Sequence, residues 1–281
     1  MFERFSRSWE LIRASGEVLR QDKELLLFPF FSAIATLIVS ASFIVPLVLT
    51  GAFERSIAPG DETAYMVFLF LFYLIQYFII FFFNSALVGA AMIRLDGGDP
   101  TVSDGLRIAR SRFVQILGYA AIAATVGLIL RMLEERMGFI GRWIVGLIGL
   151  AFTVATFLTV PILVSRDIGP VEAVKESAAL LKKTWGENII GNGGMGFIFF
   201  LVYLAAIGIG FVFVFGAAQT GNPALIVLTL AIVVLAVVVI ALVQSALQGV
   251  YSAALYRYAT EGNAGASFSN ALLGEAFRPK H

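Results

Sequence analysis

The chain has 281 residues, of which 59% are hydrophobic and only 14% charged, and its mean hydropathy is +0.90. Soluble domains average roughly 45–50% apolar and about 25% charged residues, so a soluble globular, disordered or nucleic-acid-binding chain is excluded. Lys+Arg (20) and Asp+Glu (19) nearly cancel, so no bulk field points to an acidic partner. There is no cysteine, and the single histidine is His281, the last residue. Disulfides, thiolate chemistry, histidine catalysis and Cys/His metal clusters therefore drop out, and no catalytic residue, cofactor or metal site is expected.

Residues 1–22 read as an amphipathic arm. Phe2, Phe5, Trp9, Ile12, Gly16 and Leu19 recur at 3-4-3-4-3 spacing, one face of a helix. Glu3, Glu10 and Glu17 lie three or four positions from Arg7, Arg13 or Arg20, which allows weak pairing along the helix. The arm lacks the short apolar region and cleavage site of a secretory signal, so the first span is read as an uncleaved anchor.

Five charge-free runs follow: Leu25–Phe53, Thr63–Ile93, Phe113–Leu130, Trp143–Ser165 and Asn188–Tyr256. A membrane-spanning helix needs about 20 mostly apolar residues. The first four runs supply one each. The fifth is too long for one span and breaks at Thr220-Gly221-Asn222-Pro223, a turn with a helix restart. Six spans are expected, near 25–49, 65–93, 113–131, 141–164, 190–216 and 223–250. The Ile/Val-rich stretch Ala224–Val243 has strand propensity but no alternation, which favours a lipid-facing helix. A membrane β-barrel would alternate, with turns about every ten residues.

Short flanks carry the orientation signal. Sixteen of the 20 Lys/Arg fall on the side of the two termini and four on the other. Both termini are therefore expected in the cytoplasm, in a bacterial or archaeal inner membrane. Arg131, Arg136 and Arg142 of the third loop run against this pattern. A re-entrant hairpin of spans three and four would bring them back to the cytoplasmic side.

The segments before spans three and five repeat the pattern of the arm. Val102, Leu106, Ala109 and Phe113 form one stripe. Val171, Val174, Ala178, Leu181 and Trp185 form another. Residues 170–185 thus read as an interfacial helix, and the tail 259–281 carries a weaker stripe of Phe268, Leu272 and Ala276. Asn84-Ser85 near the end of span two rhymes with Gln244-Ser245 in span six. Arg94, Arg166 and Arg257 each follow an even-numbered span. The pattern reads as a parallel threefold repeat of a cytoplasmic amphipathic helix plus a membrane hairpin. It differs from the inverted repeats of many transporters.

No charged residue falls in the core of at least five spans, which argues against a buried proton relay. The neutral polar positions are Gln76, Asn84, Ser85, Thr153, Thr156, Thr159, Gln244, Ser245 and Gln248. They fit interhelical hydrogen bonding, the favoured reading, or a polar pathway for a solute. Gln244 and Gln248, four apart, share a helix face. Pro161 should kink span four, with Thr159 near the freed carbonyl. Gly191-x-Gly193-x-x-Gly196 matches a dinucleotide fingerprint by letter, but it opens a span and reads as a small-residue packing face. Gly127, Gly146, Gly149, Gly208, Gly210 and the pairs Ser85/Gly89 and Ser245/Gly249 read the same way. Trp9, Arg13, Lys182, Lys183 and Trp185 suit the headgroup region, as a lipid or partner face.

Glu172-Ala173-Val174-Lys175-x-Ser177, then Lys182-Lys183-Thr184-Trp185-Gly186, with the lead-in Val160-Pro161 and Asp167-Ile168-Gly169-Pro170, resembles prokaryotic six-span membrane families of unknown function. The same segment is similar to the membrane domain attached to some bacterial glycerophosphodiester phosphodiesterases. Phe5-Ser6-x-Ser8-Trp9 fits the same picture. The resemblance implies a fold and no activity, because phosphodiesterase chemistry resides in a separate soluble domain.

The expected fold is all-α: one membrane domain of six helices in three hairpins. The expected function is a non-enzymatic inner-membrane protein that organises lipid or a partner complex. Its alternative is a passive channel or transporter for small or lipidic solutes. Membrane lipids, anionic ones among them, and a second copy of the chain are the expected partners, and nucleic acid is not.

Overall fold

The computed structural model describes residues 2–49, 62–185, 194–263 and Phe268. Among them the chain is helical throughout. Ten helices follow in order: α1 (Phe2–Gln21), α2 (Leu27–Leu49), α3 (Glu62–Leu95), α4 (Val102–Ser111), α5 (Phe113–Arg136), α6 (Phe139–Ala155), α7 (Thr159–Ser165), α8 (Pro170–Trp185), α9 (Gly194–Gln219) and α10 (Pro223–Glu261). A 3-10 turn, Lys23–Leu26, leads into α2. Six segments are long and apolar enough to cross a membrane: Lys23–Leu49, Thr63–Leu95, Phe113–Arg136, Phe139–Ser165, Met195–Gln219 and Pro223–Glu261.

Local chemistry sets the breaks. Thr101 and Asp104 form a reciprocal capping box at the start of α4, with Asp104 N–H to Thr101 Oγ1 at 3.2 Å and Thr101 N–H to Asp104 Oδ2 at 3.1 Å. The turn before α10 has Gly221 at φ +66° and Asn222 as N-cap. Its Oδ1 accepts from Ala224 N–H at 3.0 Å, and Pro223 opens the helix. Gly262, at φ +70°, ends α10. At about 1.5 Å per residue the 39 residues of α10 reach ~58 Å. A hydrocarbon core is roughly 30 Å thick, so α10 extends well past it.

Span four departs from the expectation. It is two helices, α6 and α7, and the break lies at 156–158 rather than at Pro161. Pro161 is the third residue of α7, in a first turn where a missing N–H costs little, so it restarts a helix instead of bending one. Ser177 of α8 fills the gap. Its hydroxyl donates to the Ala155 carbonyl at 2.7 Å and accepts from the Leu158 N–H at 3.0 Å.

The tight core lies at one end of the bundle, near Arg94, Arg166 and Arg257. Ala86–Ala91 of α3, Val250 and Ala253–Tyr256 of α10, Phe28 of α2, Ile162 and Leu163 of α7, and Val18 of α1 are buried there. Close approach requires glycine at two crossings. A Cβ on Gly105 would stand 2.6 Å from the Ala86 carbonyl oxygen and 2.5 Å from the Phe28 ring, and one on Gly249 would stand 2.4 Å from Leu87. Gly89 meets Ile108 in the same way, Gly210 meets Val233, and Gly127 and Gly149 face Tyr77 and Leu130 more loosely. Gly146, Gly196 and Gly208 have open space where a side chain would go, so no close crossing among the described residues requires glycine there. Gly191 and Gly193 lie outside the described residues.

Away from this end the helices present apolar surface outward. Phe139, Ile140 and Leu147 of α6, Phe211 of α9, and Val227 and Leu235 of α10 are all exposed. At membrane depth such surface meets hydrocarbon, which is no more apolar than the side chains themselves.

Candidate functional site: an uncharged cavity between the helices

Ion pairs stitch the arginine end. Arg94 at the end of α3 holds Asp22, beyond α1, and Asp99. Arg257 of α10 reaches Asp96 at 2.8 Å and Glu261 at 3.2 Å. Arg112, between α4 and α5, pairs with Asp167, which also accepts from Gln115 at 3.1 Å. Arg166 pairs with Glu176 of α8. The arginines that follow the even-numbered spans are therefore each engaged by an acid, and most of these pairs join different elements. At the other end of α5, Arg131 donates to the Tyr73 hydroxyl and to Glu135, both at 3.0 Å.

Between these ends α2, α3, α5, α6, α10 and the span-four break enclose a cavity of about 570 Å3. That is within the roughly 300–1,000 Å3 of small-molecule sites. Its polar lining among the described residues is Ser32, Tyr77, Asn84, Tyr119, Thr153, Thr156, Ser245, Gln248 and Ser252, none of them charged. Phe81 stacks on Tyr119 at 4.3 Å and on Tyr77 at 5.7 Å, which makes one wall aromatic. Ile80, Thr153, Ser245 and Gln248 line the cavity yet are exposed, so it is open to the outside at α3, α6 and α10.

The neutral polar positions sort into three groups. Gln76 binds helices: its Nε2 donates to Ser40 Oγ of α2 at 2.6 Å. Gln244 does the same, accepting from the Tyr203 hydroxyl of α9 at 2.8 Å. Asn84, Thr153, Thr156, Ser245 and Gln248 instead converge on the cavity from three elements and the break. Gln244 and Gln248 thus share a face of α10 but meet different neighbours. Four helical residues advance about 400°, a 40° offset that turns Gln244 to α9 and leaves Gln248 to the cavity. Ser85 and Thr159 are fully buried, with hydroxyl oxygens that lack a hydrogen-bond partner. Pro161 is buried behind the break.

Among the lining hydroxyls, Thr153 donates to Gly149 O at 3.0 Å, Thr156 to Phe152 O at 2.9 Å and Ser252 to Gly249 O at 2.8 Å. The amides of Asn84 and Gln248 have no partner among the described residues. Sequence reasoning missed Ser177, which joins α8 to the edge of the cavity. It also missed Tyr77 and Tyr119, whose aromatic character read simply as apolar.

The basic-aromatic positions lie elsewhere. Trp9 and Arg13 are exposed on α1, which packs on α9 and α10. Lys182 is exposed on α8, which packs on α5, α6 and α7. The Lys183 and Trp185 side chains lie outside the described residues. No group of three or more His, Cys, Asp or Glu able to hold a metal occurs among the described residues.

A family model described as "Family of unknown function (DUF6159)" matches residues 63–267, more than half of the sequence. The chain belongs to that family. No curated protein matches it.

Proposed function

We propose that the chain is a non-enzymatic component of a bacterial or archaeal inner membrane that organises lipid by holding it in the cavity between α2, α3, α5, α6 and α10. One observation carries this reading. A cavity of about 570 Å3 at the depth of apolar helices is lined by neutral hydrogen-bonding groups and is open to the outside. An amphiphile with its tail in hydrocarbon and its polar end among these groups fits that lining. Lipid binding needs hydrogen-bonding groups of this kind and no acid, base or nucleophile.

The rest of the sequence reading supports the proposal. Both termini lie in the cytoplasm, by the sixteen-to-four division of Lys/Arg. The helices α1, α4 and α8 are the amphipathic members of three parallel helix-plus-hairpin units, resting at the headgroup level with Trp9, Arg13 and Lys182 outward. The exposed apolar faces of α6 and α9 suit packing in a homo-oligomer as well as lipid contact. The likeness to a phosphodiesterase-linked membrane domain rests on the 160–186 segment and brings no activity with it.

The convergence of Asn84, Thr156, Ser245 and Gln248 favours one second reading, passive passage of a small or lipidic solute through the same cavity. A paired experiment tests both. Thr153→Phe with Val126→Phe should obstruct the cavity without touching the core at the arginine end. Lipid extracted from the purified parent should exceed that from the folded variant by about one molecule per chain. Equal lipid in both would refute lipid holding. Solute flux in proteoliposomes that the variant abolishes would favour passage.

A further inference from the structure

The chemistry of the cavity also specifies what kind of head it accepts, an inference that rests on the lipid-holding reading above. We propose that the ligand is an uncharged amphiphile whose oxygen-bearing head accepts hydrogen bonds from the amides of Asn84 and Gln248, and that charged phospholipid headgroups are excluded.

Three observations carry the proposal. The first is the state of the donors. Thr153, Thr156 and Ser252 already spend their hydroxyl protons on carbonyls of their own helices. The Asn84 and Gln248 amides are unspent, each with two N–H donors. They reach the cavity from α3 and α10, which cross closely where Leu87 lies against Gly249. Two amides on opposing helices suit a head with carbonyl or hydroxyl oxygens. Asn84 is half-buried and Gln248 exposed at the cavity mouth, so at membrane depth, where water is scarce, both gain by meeting a polar head.

The second observation is the distribution of charge. Among the described residues the lining carries no charged side chain. The arginines at the ends of the bundle are ion-paired: Arg94 with Asp22 and Asp99, Arg257 with Asp96 and Glu261, Arg112 with Asp167, and Arg131 with Glu135. A phosphodiester drawn into the cavity would lose its hydration, with no cation among the described lining residues to replace it. The third observation is shape. The stacked faces of Tyr77, Phe81 and Tyr119 form a flat wall suited to a planar head or an acyl chain.

The shared chemistry is a carbonyl or hydroxyl head on a hydrocarbon tail, from a diacylglycerol, a prenyl alcohol or a prenylated quinone. The test uses the full chain in phosphatidylcholine nanodiscs, with binding read by native mass spectrometry. The probes are dioleoylglycerol, a polyprenyl alcohol and a prenylated quinone, each against phosphatidylglycerol. At least one uncharged probe should bind and resist competition by phosphatidylglycerol, and the probe that binds identifies the source. The double substitution Asn84→Leu/Gln248→Leu should weaken that binding about tenfold, as expected for two hydrogen bonds. Gln248→Lys supplies a cation and should turn the preference toward phosphatidylglycerol, a gain that misfolding cannot imitate. Tighter binding of phosphatidylglycerol than of every uncharged probe by the parent, or full retention by the double variant, would overturn this inference and leave lipid holding intact. No binding of any probe, together with lipid-free purified protein, would overturn both.

Discussion

Ser177→Ala removes one oxygen and breaks the junction between α6 and α7. The Ser177 hydroxyl is fully buried, donates to Ala155 O at 2.7 Å and accepts from Leu158 N–H at 3.0 Å. Both backbone groups lie at a break in a membrane span, so neither finds another helical partner easily. Stranding one buried polar group costs about 1–3 kcal/mol. Measured side-chain hydrogen bonds inside membranes average only ~0.6 kcal/mol, because partners can be exchanged. Here Ser177 serves two backbone groups that lack the neighbours for such exchange, so the larger figure governs and a loss of ~2–4 kcal/mol is expected. Thr229→Ala is the matched control. Its hydroxyl is exposed and bonds only to Leu225 O in its own helix, so its loss should fall within about 0.5 kcal/mol. Reversible unfolding in mixed micelles measures both, and amide exchange at Leu158 should quicken in the Ser177 variant alone. Equal stability of the two variants, with Leu158 still protected, would refute the clasp.

Other perturbations separate packing from the cavity. Gly105→Ala forces a Cβ to 2.6 Å from the Ala86 carbonyl oxygen, a backbone atom that cannot rotate away, so thermal denaturation should show a loss of about 2 kcal/mol or more. Asp22→Asn leaves the half-buried Arg94 with the exposed Asp99 as its ion-pair partner. It should cost on the order of 2–4 kcal/mol in the same assay, whereas Asp167→Asn, at an exposed carboxylate, should cost under about 1 kcal/mol. Gln244→Leu should weaken the α9–α10 contact by about 0.6–1.7 kcal/mol and leave lipid retention unchanged, since its partner is Tyr203. Hydrogen bonds from Thr101, with Arg107 nearby, hold the Asp104 carboxyl below its usual range. A depressed native value means that the capping contribution is full above about pH 4, the unfolded value, and is lost as pH falls through the native one. Acid melting curves of Asp104→Asn should lack that component, and identical acid sensitivity in parent and variant would contradict it.

The membrane class and the six spans were legible because length and charge exclusion dominate the problem. A run such as Thr63–Ile93 has few alternatives in any solvent. The α10 turn was legible for the same local reason, since Gly221, Asn222 and Pro223 each have a specific conformational role there. Span four was misread because a proline marks a helix boundary without saying on which side the break falls. The break is fixed by Ser177, which arrives from another element. The polar positions were legible as a set but not as groups. Gln76 and Gln244 find partners on the adjacent helix, whereas Asn84 and Gln248 do not, and a single chain pattern cannot show which neighbour lies opposite. The glycines divided in the same way: Gly249 faces Leu87, while Gly208 faces open space.

Photocrosslinking from the lipid side tests the central claim most directly. The full chain would be reconstituted with lipid bearing a diazirine near the head end of one acyl chain, irradiated, and its adducts mapped by peptide sequencing. The account predicts adducts concentrated around Asn84, Thr153, Ser245 and Gln248, and their loss in Thr153→Phe/Val126→Phe. Adducts spread evenly over the exposed faces of α6, α9 and α10, with none among the cavity residues, would contradict it.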